Sequence, residues 1–150
     1  MTPENTQKLY SAFPRLYREK DKSPQESPMY WGFQCDDGWF DLIRKLSADI
    51  EHAARNEGRN PSSEDWPEAT QVKQKWGTLR FHVGDASDEI RNLIAEAEKA
   101  SKTICEICGA PGSTDYNNRR NVKTVCPGHP LDPPKQPDPA RIPVWKFFKD

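Results

Sequence analysis

Cys105, Cys108, Cys126 and His129 form two ligand pairs, Cys-x-x-Cys and Cys-x-x-His, separated by seventeen residues. Two intervening residues let the backbone turn around a metal, and two such pairs can converge on one tetrahedral Zn²⁺. Three thiolates and one imidazole close the shell and leave no position for water or substrate. The spacing therefore predicts structural zinc, not catalytic zinc. Iron also accepts this donor set, but Zn²⁺ suits it better. Gly109 follows the first pair and Gly128 lies inside the second. Glycine accepts the positive φ angles that tight turns need, which is expected at both positions. A disulfide is the competing use of these cysteines. No hydrophobic signal segment opens the sequence, so the expectation is an intracellular, reducing compartment.

Few other residues have the types needed for catalysis. Cys35 could act as a nucleophile only with His52 or His82 as base, and nothing in the spacing brings them together. Asp36 and Asp37 beside it raise a thiol pKa, which disfavours the thiolate and favours a buried structural cysteine. Zinc-stabilised nucleases of the ββα-metal type carry a catalytic histidine between two cysteine pairs. The segment 110–125 contains none, and Asp115, Asn117 and Asn118 do not provide a general base. Pro130, Pro133 and Pro134 also follow the second pair, where that fold needs a helix. The chain is not expected to be an enzyme.

Two kinds of surface remain. Lys73, Lys75, Arg80 and His82, with Arg119, Arg120 and Lys123 near the zinc, are candidate contacts to nucleic acid or to an acidic partner, and Tyr30 or Trp31 could stack bases. A solvated sheet face is the plainer explanation for the first four. Tyr30, Trp31, Trp145, Phe147 and Phe148 are candidates for a protein interface, where aromatic side chains concentrate. Trp39 and Phe40 fit better in the core.

The elements that must position these residues follow from periodicity. Leu9, Phe13, Leu16 and Tyr17 fall at helical spacing within 4–20, with Pro14 as a break. A helix from about Gly38 to Asn56 presents Trp39, Leu42, Ile43, Leu46, Ile50 and Ala53 on one face, capped by Asp36 or Asp37 and ended by Gly58. Residues 70–83 alternate as a β-hairpin with its turn near Trp76-Gly77-Thr78. Val72, Trp76, Leu79, Phe81 and Val83 are expected inside, and Lys73, Lys75, Arg80 and His82 outside. A second helix over about 87–101, capped by Asp85 or Ser87, turns Ile90, Leu93, Ile94 and Ala97 inward. Residues 119–125 add a short strand that brings Cys126 to the metal. From Pro127 onward the chain holds seven prolines and cannot be regular over most of its length.

The predicted fold class is α+β: two amphipathic helices packed on a β-hairpin, a C-terminal zinc-ribbon-like Cys₃His knuckle module, and a proline-rich tail with an aromatic end. The segments are 1–29, 30–103, 104–130 and 131–150. Hydrophobic residues make up 34% of the 150 and charged residues 30%. The core must be modest, and zinc compensates for missing burial. The net charge of −1 supplies no global drive toward nucleic acid or an anionic membrane. Charge is uneven, however: residues 36–68 hold nine acidic side chains against four basic ones, and 69–83 hold three basic and no acidic ones. No apolar run approaches membrane-spanning length, so no membrane association is expected.

Five motifs carry a family resemblance: Gly-Phe-Gln-Cys-Asp-Asp-Gly-Trp-Phe (32–40), Gln-Val-Lys-Gln-Lys-Trp-Gly-Thr-Leu-Arg-Phe (71–81), Ala-Glu-Lys-Ala-Ser (97–101), Cys-Glu-Ile-Cys-Gly (105–109) and Thr-Val-Cys-Pro-Gly-His (124–129). From Gly32 to His129 the chain resembles uncharacterised small zinc-knuckle proteins encoded by bacteriophages and prophages. The resemblance implies a phage accessory protein in the bacterial cytoplasm and brings no catalytic residues. Two functions are therefore expected in order. The first is a non-enzymatic module that binds and modulates a host protein, such as a component of a defence system. The second is a nucleic-acid-binding accessory protein that uses the basic hairpin face.

Overall fold

Pro3 in the first turn and the Thr2 hydroxyl, which accepts from the Asn5 N–H at 3.4 Å, start helix α1 (Pro3–Ala12). A computed structural model describes residues 1–117 and 119–132. Trp145, Phe147 and Phe148 lie outside the described residues. Helix α1 stops before Pro14, and two short 3₁₀ turns, Arg18–Asp21 and Pro28–Trp31, lead to strand β1 (Phe33–Gln34). Then come α2 (Phe40–Asn56), β2 (Glu68–Lys75), β3 (Thr78–Gly84), α3 (Asp88–Ser101), β4 (Ser113–Asp115) and β5 (Lys123–Val125). Among the described residues the class is α+β, as expected, with α1 as a third helix beside the two long amphipathic ones. The hairpin is the larger part of a three-stranded sheet, because β1 adds to it in parallel.

Register explains the core. Phe33 pairs with Val72, and Val72 with Phe81, so one row of apolar side chains crosses all three strands. The Tyr17 ring meets Phe33 edge-on at 5.0 Å between centroids. Its hydroxyl lies 2.6 Å from the Ser47 hydroxyl, which itself donates to the Ile43 carbonyl. Ser47 therefore accepts from Tyr17, and the buried polar pair is satisfied. A bulge between Ala69 and Gln71 lets Ala69 turn inward together with Val72, which plain alternation does not allow. Leu9, Leu16, Tyr17 and Met29 are all buried in the same core as α2 and the sheet. The N-terminal residues are thus part of the packing.

The cap of α2 differs from expectation. Neither Asp36 nor Asp37 caps it; a 3₁₀ turn over Asp37–Trp39 leads into the helix instead. Asp37 accepts from the N–H and hydroxyl of Thr2 at 2.9 and 3.2 Å, tying α1 to α2. Gly58, at φ 78°, ends α2 as expected, and Ser87 caps α3 through the Ile90 N–H. Helix α3 also closes the free edge of β3. The Leu79 N–H donates to the Ser101 hydroxyl at 2.9 Å and the Phe81 N–H to Glu98 at 3.4 Å. These two N–H groups are thereby withdrawn from pairing with another strand.

Trp66 is fully buried and its indole N–H donates to Glu51 at 3.2 Å. Burial pushes the Glu51 carboxyl up, against the opposing pull of Trp66 and Arg55. A carboxyl whose folded pKa exceeds its unfolded value costs stability as pH rises through that unfolded value, about 4.3, and the cost is complete above the folded one. Glu51→Gln keeps an acceptor for Trp66 and removes the charge. It should raise the melting temperature at pH 7, and the gain should disappear near pH 4 and below. A variant that melts lower than wild type at pH 7 would contradict this account.

Candidate metal centre

The Cys105 backbone begins a tight turn in which its N–H donates to the Ala110 carbonyl at 2.7 Å and its carbonyl accepts from Gly109 at 2.8 Å. Gly109 sits at φ 81°, in the left-handed region predicted for it. Gly128, expected to do the same, does not adopt a positive φ; the second turn closes through the His129 N–H, which donates to the Cys126 carbonyl at 3.0 Å. The antiparallel pair β4–β5 brings the second turn to the first, with Ser113 opposite Val125.

The four ligand atoms then lie within 4.8 Å of one another. Cys108 Sγ is 3.6 Å from Cys126 Sγ, and His129 Nδ1 is 3.3 Å from Cys126 Sγ and 4.0 Å from Cys105 Sγ. With Zn–S near 2.3 Å and Zn–N near 2.0 Å, a tetrahedral shell needs sulfur–sulfur spacings of about 3.8 Å and sulfur–nitrogen spacings of about 3.5 Å. The donor set and its size both fit a metal ion, and Nδ1 is the His129 atom turned toward the sulfurs. Burial alone raises the Cys105 thiol, but the N–H groups of Cys108, Cys126 and Ile107 outweigh it and bring it down to about 7. Backbone donors aimed at a sulfur stabilise the thiolate that a metal requires.

The centre is clamped to the rest of the fold by two of the motifs. Gly38 N–H donates to the Glu106 carbonyl at 2.7 Å, and the Trp39 indole N–H donates to the Ile104 carbonyl at 2.9 Å. On the other side Thr124 donates its hydroxyl to the Gly77 carbonyl at 2.7 Å. Gln74 binds the Val122 carbonyl at 3.0 Å and accepts from Gly77 at 3.2 Å. The Asp-Gly-Trp and Trp-Gly-Thr sequences are thus docking elements for the knuckle. That structural role accounts for Gly38, Trp39 and Gly77.

Several candidate contacts are placed differently from expectation. Lys123 is turned inward, 2.6 Å from Asp36 and 3.5 Å from the buried Glu106. It is held there by charge, which removes it from an outer binding surface. Arg80 lies 3.5 Å from Glu98 of α3. Lys73 is half-buried and pairs across the strands with Arg80, while Lys75 and His82 are exposed. Arg119 and Arg120 are exposed beside the Trp76 turn. Trp76, expected inside, is 58% exposed. It and Gly77 have φ of 54° and 74°, the two positive values of a type I′ turn, so Trp76 belongs to the turn and not to the alternating strand. Tyr30 and Trp31 are 50% and 63% exposed. Cys35 is buried and far from a thiolate: burial pushes its thiol up to about 12, with Glu106, Asp36 and Asp37 adding to the effect of burial.

No family model matches the chain, and no curated protein or solved structure matches it. Among the described residues no helix is long and apolar enough to cross a membrane.

Proposed function

We propose that this is a phage- or prophage-encoded accessory protein that binds a host protein and modulates it without catalysis, within the bacterial cytoplasm. Zinc serves as a structural staple in a zinc-ribbon-like module built on β4 and β5. A closed Cys₃His shell supports a structural metal, and a buried, protonated Cys35 supports the absence of a thiol nucleophile. A component of a defence system is the target class that the phage resemblance favours.

The observation that carries the reading is the Tyr30–Trp31 pair. The two rings lie 5.1 Å apart at nearly a right angle, and both face solvent. Their turn is rigid: Pro28 opens it, the Ser27 hydroxyl accepts from the Met29 N–H at 3.2 Å, and Met29 is fully buried beneath. Large aromatics held in place lose little entropy on binding, which is the usual make-up of an interface hot spot. The test is capture from nuclease-treated host lysate by wild type and by a Tyr30→Ala, Trp31→Ala double variant. Wild type should retain one stoichiometric protein. The double variant should lose it by tenfold or more, about 1.4 kcal/mol, with an unchanged melting temperature. Equal capture by both proteins would refute the assignment of this surface.

A further inference from the structure

We propose that Trp76 is the base platform of a site for single-stranded nucleic acid, with Lys75 and Arg119 as the phosphate contacts. This inference is independent of the host-protein reading and rests on a different surface.

Trp76 occupies the first position of a two-residue type I′ turn at φ 54°. Asn, Asp and Gly suit that position, because a bulky side chain is disfavoured at positive φ. Burial does not offset the strain, since the indole is 58% exposed. A residue that is conformationally wrong for its place and unburied points to use by a ligand. The turn beneath it is firmly held through Gly77, whose carbonyl accepts from Thr124 and whose N–H donates to Gln74. The indole is therefore presented on a fixed base.

Beside it lies a hollow of about 310 Å³ bounded by Lys75, Trp76, Arg119, Arg120 and Val122. Lys75 and Arg119 bring positive charge to it, and among the described residues no carboxylate lines it. One aromatic face next to concentrated positive charge matches a nucleotide: a base stacks on the ring, and its flanking phosphates meet the cations. A duplex hides its base faces, so this geometry selects a single strand. An acidic peptide would satisfy the cations but leave the strained indole without a purpose.

The test uses the full zinc-loaded chain and fluorescence anisotropy with a labelled 12-mer of oligo(dT), the same length of oligo(U), and a duplex of mixed sequence, from 50 to 200 mM salt. Wild type should bind a single strand more tightly than the duplex, with affinity falling as salt rises. Trp76→Asn should weaken single-strand binding roughly tenfold while raising the melting temperature, because asparagine suits the turn. Trp76→Phe should retain most of the binding. Lys75→Glu with Arg119→Glu should weaken binding and flatten its salt dependence. The proposal is overturned by absence of single-strand binding at 50 mM salt, by equal affinity for the duplex, by undiminished binding in Trp76→Asn, or by a lower melting temperature in that variant.

Discussion

Cys108→Ser is expected to strip the metal from the protein and lower its melting temperature by roughly 10 °C or more. Cys108 is exposed, so replacing its sulfur with oxygen removes almost no packing, and the effect reports the metal alone. Structural zinc contributes about 10–16 kcal/mol of apparent binding free energy in small zinc-finger peptides. Losing even a few kcal/mol of it is large, at about 2–4 °C per kcal/mol in a chain of this size. The damage should not stay local, because Trp39 and Gly38 dock directly on the first turn of the centre. Metal analysis should give one zinc per wild-type chain and little in the variant. A strong chelator should bring the wild-type melting temperature down to that of the variant and leave the variant unmoved. An unchanged zinc content with unchanged melting would remove the site assignment altogether.

Gly38→Ala should be nearly as damaging without touching a ligand. A Cβ added at Gly38 would lie 2.1 Å from the Cys105 carbonyl oxygen and 2.5 Å from the Glu106 carbonyl carbon. Both are backbone atoms, so no side chain can swing aside. The knuckle must back away, and the Gly38–Glu106 hydrogen bond at 2.7 Å is lost with it. Overpacking commonly costs 1–3 kcal/mol, and the rigid neighbours place this case at about 3 kcal/mol or above. Chemical denaturation would measure it. Gly58 is a fitting control, since nothing lies within 4 Å of a Cβ there. Its substitution costs only the strain of its positive φ. A Gly38→Ala variant as stable as wild type would show that the knuckle is not docked as described. A loss of stability with zinc still bound would separate docking from coordination.

The Cys₃His cluster, both long amphipathic helices and the hairpin are local patterns, which is why residue types and spacing revealed them. Two residues between ligands, a 3.6-residue stripe and a two-residue alternation each act within a few turns of chain. The Cys105–Cys108 and Cys126–His129 pairs, the α2 face through Ile43, Leu46 and Ile50, and the Val72–Phe81 row were readable for that reason. Contacts between distant segments were not. Alternation put Trp76 inside, but the turn needed two positive φ values at Trp76 and Gly77 and placed the indole in solvent. Lys123 read as an outer cation until folding set it beside Asp36, 87 residues away in the chain. Gly38 read as the start of the helix that runs to Asn56, and only the docked knuckle shows that no side chain fits there. Spacing along the chain decides which residues can form an element or bind a metal. Only packing decides which of the remaining polar and aromatic side chains are used inside the fold and which are left to meet a partner.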